Sequence, residues 1–134
     1  MREIKFRGKR KDNGEWVYGV VVQGNFFTFI VTRIKTINKN LFTDLVYHEV
    51  DPETVGQFTG LLDKNGREVF EGDVCSFKFE WQDRVEEVIF MGGSFALGWC
   101  ISLRQSQIDE HKEVRSTIEI IGNIYENPDL LQQK

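Results

Sequence analysis

The side chains of this chain best suited to nucleophilic, acid–base or metal chemistry belong to two histidines and two cysteines. His48 and His111 each stand without a cysteine or a second histidine nearby, and Cys75 and Cys100 do not form a closely spaced pair. A metal site needs several such ligands at short spacing, and nucleophilic catalysis needs a nucleophile, a base and an orienting group. The sequence therefore predicts no metal ion, no cofactor and no catalytic motif, and it predicts two reduced, partly buried thiols.

Carboxylates are numerous, but their spacing matches no calcium loop. Asp73 stands out because it follows Gly72 in a predicted turn. Its side chain either fixes that turn by an Asx-type hydrogen bond or binds a ligand, and the first role is the more common one. An enzymatic site would have to be assembled from residues far apart in the sequence, such as Asp73, His48 and Glu126. We therefore expect that the protein is not an enzyme.

Charge is distributed unevenly along the chain. The first twelve residues contain six basic and two acidic side chains, which gives +4 and leaves −8 for the remainder of a chain whose formal net charge is −4. The overall acidity argues against sequence-independent binding of nucleic acid by the whole surface, but a local basic hairpin is able to contact phosphate. The candidate phosphate-contacting residues are Lys9, Arg10 and Lys11, and the alternative is that they form a solvated hairpin.

Aromatic residues near this hairpin bear on the same question. Phe6, Trp16 and Tyr18 occupy positions predicted to face a core, so we expect no aromatic platform on which nucleic acid bases stack. Nucleic acid is therefore the alternative partner and not the favoured one.

Hydrophobic alternation predicts strands along most of the chain. Ile4 and Phe6 alternate with charged residues, the same period continues over 16–22, and AsnGly at 13 and 14 favours a tight hairpin turn between the two runs. Further strand patterns cover 26–34, 45–50, 74–81, 85–91, 94–101 and 117–121. We predict an all-β, mainly antiparallel protein. Helix is expected only in a turn near 52–55 and in a short C-terminal helix that begins around Asn127 and Pro128.

Two units are expected, although one compact domain is the alternative. An N-terminal β-hairpin unit covers residues 1–56, and a second unit with the C-terminal tail covers 57–134, where short strands joined by tight turns favour a small SH3-like barrel. Apolar residues in 102–114 are too sparse for an amphipathic helix, so a mobile loop is predicted there. Residues 6–22 align with 58–74 at an offset of 52 with six identities, which indicates either an internal duplication or two unrelated AsnGly hairpins.

Four short segments give the chain a resemblance to a known family. They are MetArgGluIleLysPheArg at 1–7, ThrValGlyGlnPheThrGlyLeu at 54–61, GluGlyAsp at 71–73 and IleGlyAsnIleTyrGluAsnPro at 121–128. In these segments the chain resembles the YopX family of phage and prophage proteins, and the resemblance is weak over 23–47 and 102–114. It implies a β-rich fold, supports the SH3-like barrel, and implies no assigned biochemical activity.

The family segments contain polar residues suited to contact a partner. Short polar side chains on a β-scaffold present donors and acceptors without moving. The candidates are Gln57, Thr59, Asp73, Asn123, Tyr125 and Glu126. The alternative is that these side chains bond backbone groups across turns and stabilise the fold.

The expected function follows from these observations. We expect a cytoplasmic phage or prophage accessory protein that binds a host or phage protein through the barrel surfaces and loops, without a membrane partner. Exposed edge strands also favour pairing with a second copy, so homo-oligomerisation is expected.

Overall fold

The computed structural model describes residues 3–38 and 41–133, and the chain divides into two compact units. The N-terminal unit is Met1–Gln57 and the C-terminal unit is Phe58–Lys134. Arg2, one of the six basic residues near the N-terminus, lies outside the described residues. No helix among the described residues is long and apolar enough to cross a membrane.

Strands dominate both units. They are β1 (Phe6–Lys9), β2 (Trp16–Gln23), β3 (Thr28–Asn38), β4 (Leu41–Glu49), β5 (Gly56–Leu62), β6 (Glu68–Phe70), β7 (Asp73–Phe79), β8 (Gln82–Met91), β9 (Ser94–Leu97), β10 (Ile101–Ser102) and β11 (Glu119–Asn123). Helical structure is limited to α1 (Gln105–Glu110), α2 (Lys112–Thr117) and the 3₁₀ helices Pro52–Thr54 and Pro128–Gln133. Every strand pairing among the described residues is antiparallel, which confirms the prediction of an all-β, mainly antiparallel fold.

The N-terminal unit is an antiparallel sheet in the order β4-β3-β2-β1. The predicted AsnGly turn joins β1 to β2: the Asn13 side chain accepts a hydrogen bond from the Glu15 amide at 3.0 Å, and Gly14 has φ of +75°. Positive φ at this position is what glycine permits at little steric cost. Beyond β1, the first residues of β5 pair with the sheet, with Gly56 opposite Arg7.

One face of this sheet forms the core of the N-terminal unit. Ile30 and Val50 are fully buried, and Thr28 is nearly so. A Cβ atom at Gly8 would lie 3.0 Å from a Val50 methyl, so the absence of a side chain at Gly8 lets β1 approach Val50, the residue after β4. Because side chains alternate along a strand, Phe29 and Val31 of β3 lie on the face opposite to Thr28 and Ile30.

The C-terminal unit contains a five-stranded sheet in the order β10-β9-β8-β7-β11. Its core residues come from the sheet, from β6, from both α-helices and from Ile118 between α2 and β11. They are Val69, Cys75, Phe77, Val88, Leu97, Ile101, Ile108, Val114, Ile118 and Ile120. Because β10 and β11 are the two edges and no described residues pair them, the sheet is open. The described strands thus form no closed barrel, and the SH3-like barrel stays a prediction.

The predicted mobile loop at 102–114 is wrong. The segment forms α1 and the first half of α2, and it buries Ile108 at 1% exposure and Val114 completely. Each helix has only six residues, so two apolar side chains are enough to anchor the segment to the core. The predicted C-terminal helix is present as the 3₁₀ helix Pro128–Gln133.

The two segments that align at an offset of 52 each contain a hairpin, but the two hairpin turns differ in length. In the first, the Arg10 amide donates to the Glu15 carbonyl, and in the second the Asp63 amide donates to the Arg67 carbonyl, so the second turn is one residue shorter. Strand β2 runs without a break, whereas its counterpart is interrupted at Gly72 between β6 and β7. The shared part is the turn itself, and a duplication stays a prediction.

Candidate functional site

Asp73 and Asn123, two of the predicted partner-binding residues, lie opposite each other where β7 pairs with β11. Asp73 is 2% exposed, and its side chain accepts a hydrogen bond from the Phe70 amide at 2.8 Å. The carboxylate thus bonds across the turn that contains Gly72 and stabilises it, as expected from its position. The bond is not of the Asx type, because its donor lies three residues before Asp73 and not two residues after it. The backbone of the turn is fixed as well, because the Gly72 amide donates to the Val88 carbonyl.

Asn123 organises the second half of the same cluster. Its side-chain oxygen accepts hydrogen bonds from the Tyr125 amide at 3.0 Å and the Glu126 amide at 2.9 Å. The Tyr125 ring lies against Gly72, where an added Cβ would be 3.0 Å from a ring carbon. The signature cluster, defined as Gly72, Asp73, Asn123 and Tyr125, therefore holds two turns together, and partner binding by its members stays a prediction.

The other two predicted partner-binding residues lie on β5. The Thr59 hydroxyl donates to the Val69 carbonyl at 2.8 Å and accepts from the Leu61 amide at 3.2 Å, so it joins β5 to the segment that contains β6. Gln57 is half-buried in the N-terminal unit, opposite Phe6 of β1. Thr59 thus has a stabilising role in the fold, like the signature cluster.

Sequence reasoning missed Asp63, whose carboxylate accepts three hydrogen bonds from backbone amides. One of its oxygens accepts from the amides of Asn65 and Arg67, both at 2.9 Å, and the other accepts from the Ile120 amide at 3.1 Å. Burial raises the pKa of Asp63, but the backbone donors outweigh burial and hold it below its usual range. An aspartate that opens a hairpin turn is a visible signal for the first two bonds, and no local signal indicates the third.

The residues named for an enzymatic alternative belong to different units. His48 lies in β4 of the N-terminal unit, whereas Asp73 and Glu126 belong to the C-terminal unit. Among carboxylates of the C-terminal unit, burial raises the pKa of Glu87, and the nearby Glu71 carboxylate raises it further. Within the described part of the chain, no three histidine, cysteine or acidic side chains are grouped as metal ligands would be.

A groove of about 330 Å³ lies in the C-terminal unit beside Ser76. Two of the cations that line it are already in ion pairs: Lys64 with Glu119 at 2.7 Å and Lys78 with Asp83 at 2.6 Å. The positive charge available to an anionic ligand is therefore reduced by adjacent carboxylates.

The three candidate phosphate-contacting residues also have neighbours that compete with phosphate. Arg10 donates two hydrogen bonds to Asp12, at 2.9 and 2.6 Å; this bonding raises the pKa of Arg10 and lowers that of Asp12. Lys11 pairs with Glu49 at 3.2 Å, and the Lys9 ammonium lies 6.0 Å from the centre of the Trp16 ring. Phosphate would have to displace these carboxylates.

An exposed apolar face on the N-terminal sheet is the feature with the clearest functional meaning. We define the apolar face by Val20 and Val22 of β2, Phe29 and Val31 of β3, and Tyr47 of β4. Strand register places Val20 opposite Val31 and Val31 opposite Tyr47, so these three side chains form one row across three strands. Val20, Val22 and Tyr47 are 54%, 49% and 57% exposed.

Aromatic rings extend this face at one end. The Phe29 ring meets the Tyr47 ring edge-on, with the ring centroids 5.5 Å apart. The Phe27 ring centroid lies 6.0 Å from that of Phe29. Tyr18, which precedes Val20 on the same side of β2, is 45% exposed, so the expectation that it faces the core is wrong. The reason is that β2 carries apolar residues on both sides, and the core of the unit lies against the other side.

A family comparison identifies the chain. The family model for YopX protein matches residues 5–132. The chain belongs to the YopX family. This confirms the resemblance carried by the four sequence segments, and the match also spans the segments 23–47 and 102–114, where the resemblance is weak.

A solved structure agrees with the YopX assignment. The chain is similar to protein EF1440 from Enterococcus faecalis, known from a crystal structure, with 26% sequence identity and a TM-score of 0.68. The similarity covers 98% of this chain and 99% of the EF1440 chain. None of the curated protein sequences compared with this YopX protein matches it.

Proposed function

We propose that this YopX protein is a phage- or prophage-encoded accessory protein of the bacterial cytoplasm, and that it acts as a non-enzymatic module that binds a host or phage protein. The observation that carries the proposal is the apolar face of the N-terminal unit. Its side chains are adjacent and uncharged, and Val20, Val22 and Tyr47 are exposed while Phe29 and Val31 are half-buried, whereas the polar signature residues Asp73 and Asn123 are engaged in turns.

Burial of the apolar face supplies the driving force for binding. Soluble proteins rarely expose contiguous apolar patches larger than a few hundred Å², and larger patches mark interaction sites. Tyrosine and phenylalanine are enriched in protein interfaces because they combine a large apolar area with few rotatable bonds. The row from Val20 to Tyr47 provides such an area on strands, which hold their side chains in place without a prior conformational change.

Nucleic acid is the second candidate partner, favoured by the basic residues at the start of the chain. Its weakness is that Arg10 and Lys11 are held by Asp12 and Glu49. Replacement of Lys9, Arg10 and Lys11 by Ser tests it directly. Binding to nucleic acid that survives this replacement has another cause, whereas loss of binding, together with a steep salt dependence in the unmodified protein, favours phosphate contact.

The test of the proposed function is affinity capture of the tagged full chain from a phage-carrying bacterial lysate, with and without nuclease. We expect a stoichiometric protein partner that persists after nuclease treatment. The variant Val22→Lys places a charge on the apolar face and is expected to lose that partner. Leu62→Lys is the matched control, because Leu62 is 51% exposed on β5 of the C-terminal unit. Equal retention by both variants would refute binding through the apolar face.

A further inference from the structure

We infer that, in the purified protein, the apolar face of the N-terminal unit is covered by a second copy of the same chain. This inference rests on the proposed function, because both use the same face. It assigns the first occupant of that face and implies that a host or phage protein competes with self-association. It also differs from pairing through edge strands, because side chains of the sheet face and not backbone groups make the contact.

The available area supports a dimer. An aromatic side chain contributes roughly 150–250 Å² when fully exposed, so the half-exposed rings of Tyr18, Phe27 and Tyr47 present about 100 Å² each. With Val20 and Val22, the apolar face and the bordering rings of Tyr18 and Phe27, which lie outside its five defining residues, present on the order of 500 Å². Two copies would bury about 1,000 Å² in total, which is where specific interfaces begin. This area is at the lower bound for a specific interface, so we expect a weak, reversible dimer.

Charge favours a second copy over a charged partner. In a twofold interface, residues near the axis meet their own counterparts, so any charge there would face the same charge. The apolar face contains only valine, phenylalanine and tyrosine, and none of these is charged at neutral pH. The nearest described carboxylate in the register is Glu49, opposite Phe29 at the edge strand, and Lys11 pairs with it. Self-association thus brings no like charges together at the centre.

The shape of the apolar face also favours a second copy of the chain. Val20, Val31 and Tyr47 form one row across the sheet, and Val22 with Phe29 begins the next, so the face is a two-row surface of strand side chains. Two such surfaces pack face to face as in a β-sandwich, where side chains from the facing sheets interdigitate. Bases of nucleic acid would also stack on the rings, and the cations Arg7 and Lys9 lie opposite Tyr18 and Trp16 at one end of β2. The two central rows themselves contain no cation, so the centre of the face favours an apolar partner.

The experiment is sedimentation equilibrium of the full chain over a wide concentration range, with Val20→Lys and Val22→Lys as separate variants and Leu62→Lys as control. We expect the unmodified protein and Leu62→Lys to form a dimer with the same dissociation constant. Each variant of the face would bury an unpaired ammonium group, so dimerisation should weaken at least about 100-fold. Circular dichroism shows whether the variants retain the fold.

If the variants misfold, a second measurement tests whether the apolar face forms the dimer interface. In a mixture of isotope-labelled and unlabelled protein, filtered nuclear Overhauser spectra detect contacts between the Val20 or Val22 methyls of one copy and aromatic protons of the other. Such contacts support the inference, and their absence in a dimeric sample overturns it. A monomer at all concentrations, or a dimer unaffected by both lysine variants, also overturns it.

The two proposals fail in different ways. A monomer that captures a host or phage protein, and loses it in Val22→Lys, refutes self-association and leaves the proposed function intact. A dimer formed through the apolar face that captures no other protein supports self-association and refutes the proposed binding of a host or phage protein.

Discussion

Replacement of Asp63 by asparagine tests the carboxylate that links the β5–β6 turn to β11. Asparagine has nearly the same shape and retains one oxygen acceptor. If that oxygen stays with the amides of Asn65 and Arg67, the new NH₂ group faces the Ile120 amide, and two donors then oppose each other. The Ile120 amide loses its side-chain acceptor in a residue that is 8% exposed.

The expected loss of stability follows from these contacts. A buried donor left without an acceptor costs about 1–3 kcal/mol, and hydrogen bonds to a charged acceptor are worth more than bonds to a neutral one, by about 1 kcal/mol each. Because these contributions are not additive, we expect Asp63→Asn to lower the free energy of unfolding by about 3 kcal/mol at neutral pH. The Ile120 amide should also exchange with solvent faster.

The pH dependence gives a second, independent check. The pKa of Asp63 is lowered in the folded protein, so its carboxylate stabilises the fold at pH values above the ordinary aspartate pKa. That stabilisation is lost as pH falls through the lowered folded-state pKa. The difference in unfolding free energy between the unmodified protein and Asp63→Asn should therefore narrow in acid.

Urea denaturation at neutral and acidic pH, with amide exchange of Ile120 measured by NMR, provides the assay. Asp83→Asn is the control, because the Asp83 side chain is 89% exposed and pairs only with Lys78 among the described residues. A surface pair of this kind is worth below about 1 kcal/mol. The reasoning would be refuted if Asp63→Asn were no more destabilising than Asp83→Asn. It would also be refuted if the loss of unfolding free energy in Asp63→Asn were the same at neutral and acidic pH.

Two further predictions concern the C-terminal unit. Gly72→Ala should destabilise the protein by about 2–4 kcal/mol, because Gly72 has φ of +94° and an added methyl would contact the Tyr125 ring at 3.0 Å. Thermal unfolding should show a smaller loss for Gly92→Ala, which has positive φ but open space, and equal losses would contradict this account. Glu87→Gln should raise stability at neutral pH, because burial and then Glu71 raise the pKa of Glu87 and disfavour its charged form. This gain in unfolding free energy should vanish in acid, where Glu87 is protonated. A lower unfolding free energy for Glu87→Gln in urea titrations at neutral pH would contradict the prediction.

Local signals in the sequence were sufficient for most strands and for the first hairpin, but β5 and β6 were anticipated only through the alignment at an offset of 52, and the predicted run 94–101 is divided into β9 and β10. AsnGly at 13 and 14 specifies a turn by its own backbone preferences, and alternation on either side specifies strands. The same holds for Asp73, whose bond to the Phe70 amide spans only three residues. Features determined within a few residues were therefore predictable.

Features determined by residues far apart in the sequence were not predictable. Whether the C-terminal sheet closes depends on the positions of β10 and β11, and the third bond of Asp63 reaches Ile120, 57 residues away. In β2, apolar side chains at Val20 and at Val21 point to opposite sides, so alternation alone does not reveal which side is exposed. The helices α1 and α2 were missed because a six-residue helix with one buried anchor has no measurable periodicity.

The position of β11 has a consequence for synthesis on the ribosome. The N-terminal unit is complete at Gln57, but β7 acquires its second neighbour only when Glu119–Asn123 has been made. At about 5–20 residues per second, the roughly 66 residues from Gln57 to Asn123 take on the order of 3–13 s to translate. During that interval the nascent chain presents its apolar face on a finished sheet while the C-terminal unit is still incomplete. Neighbouring ribosomes on one message would thus bring these faces together early, which favours assembly between chains of the same message.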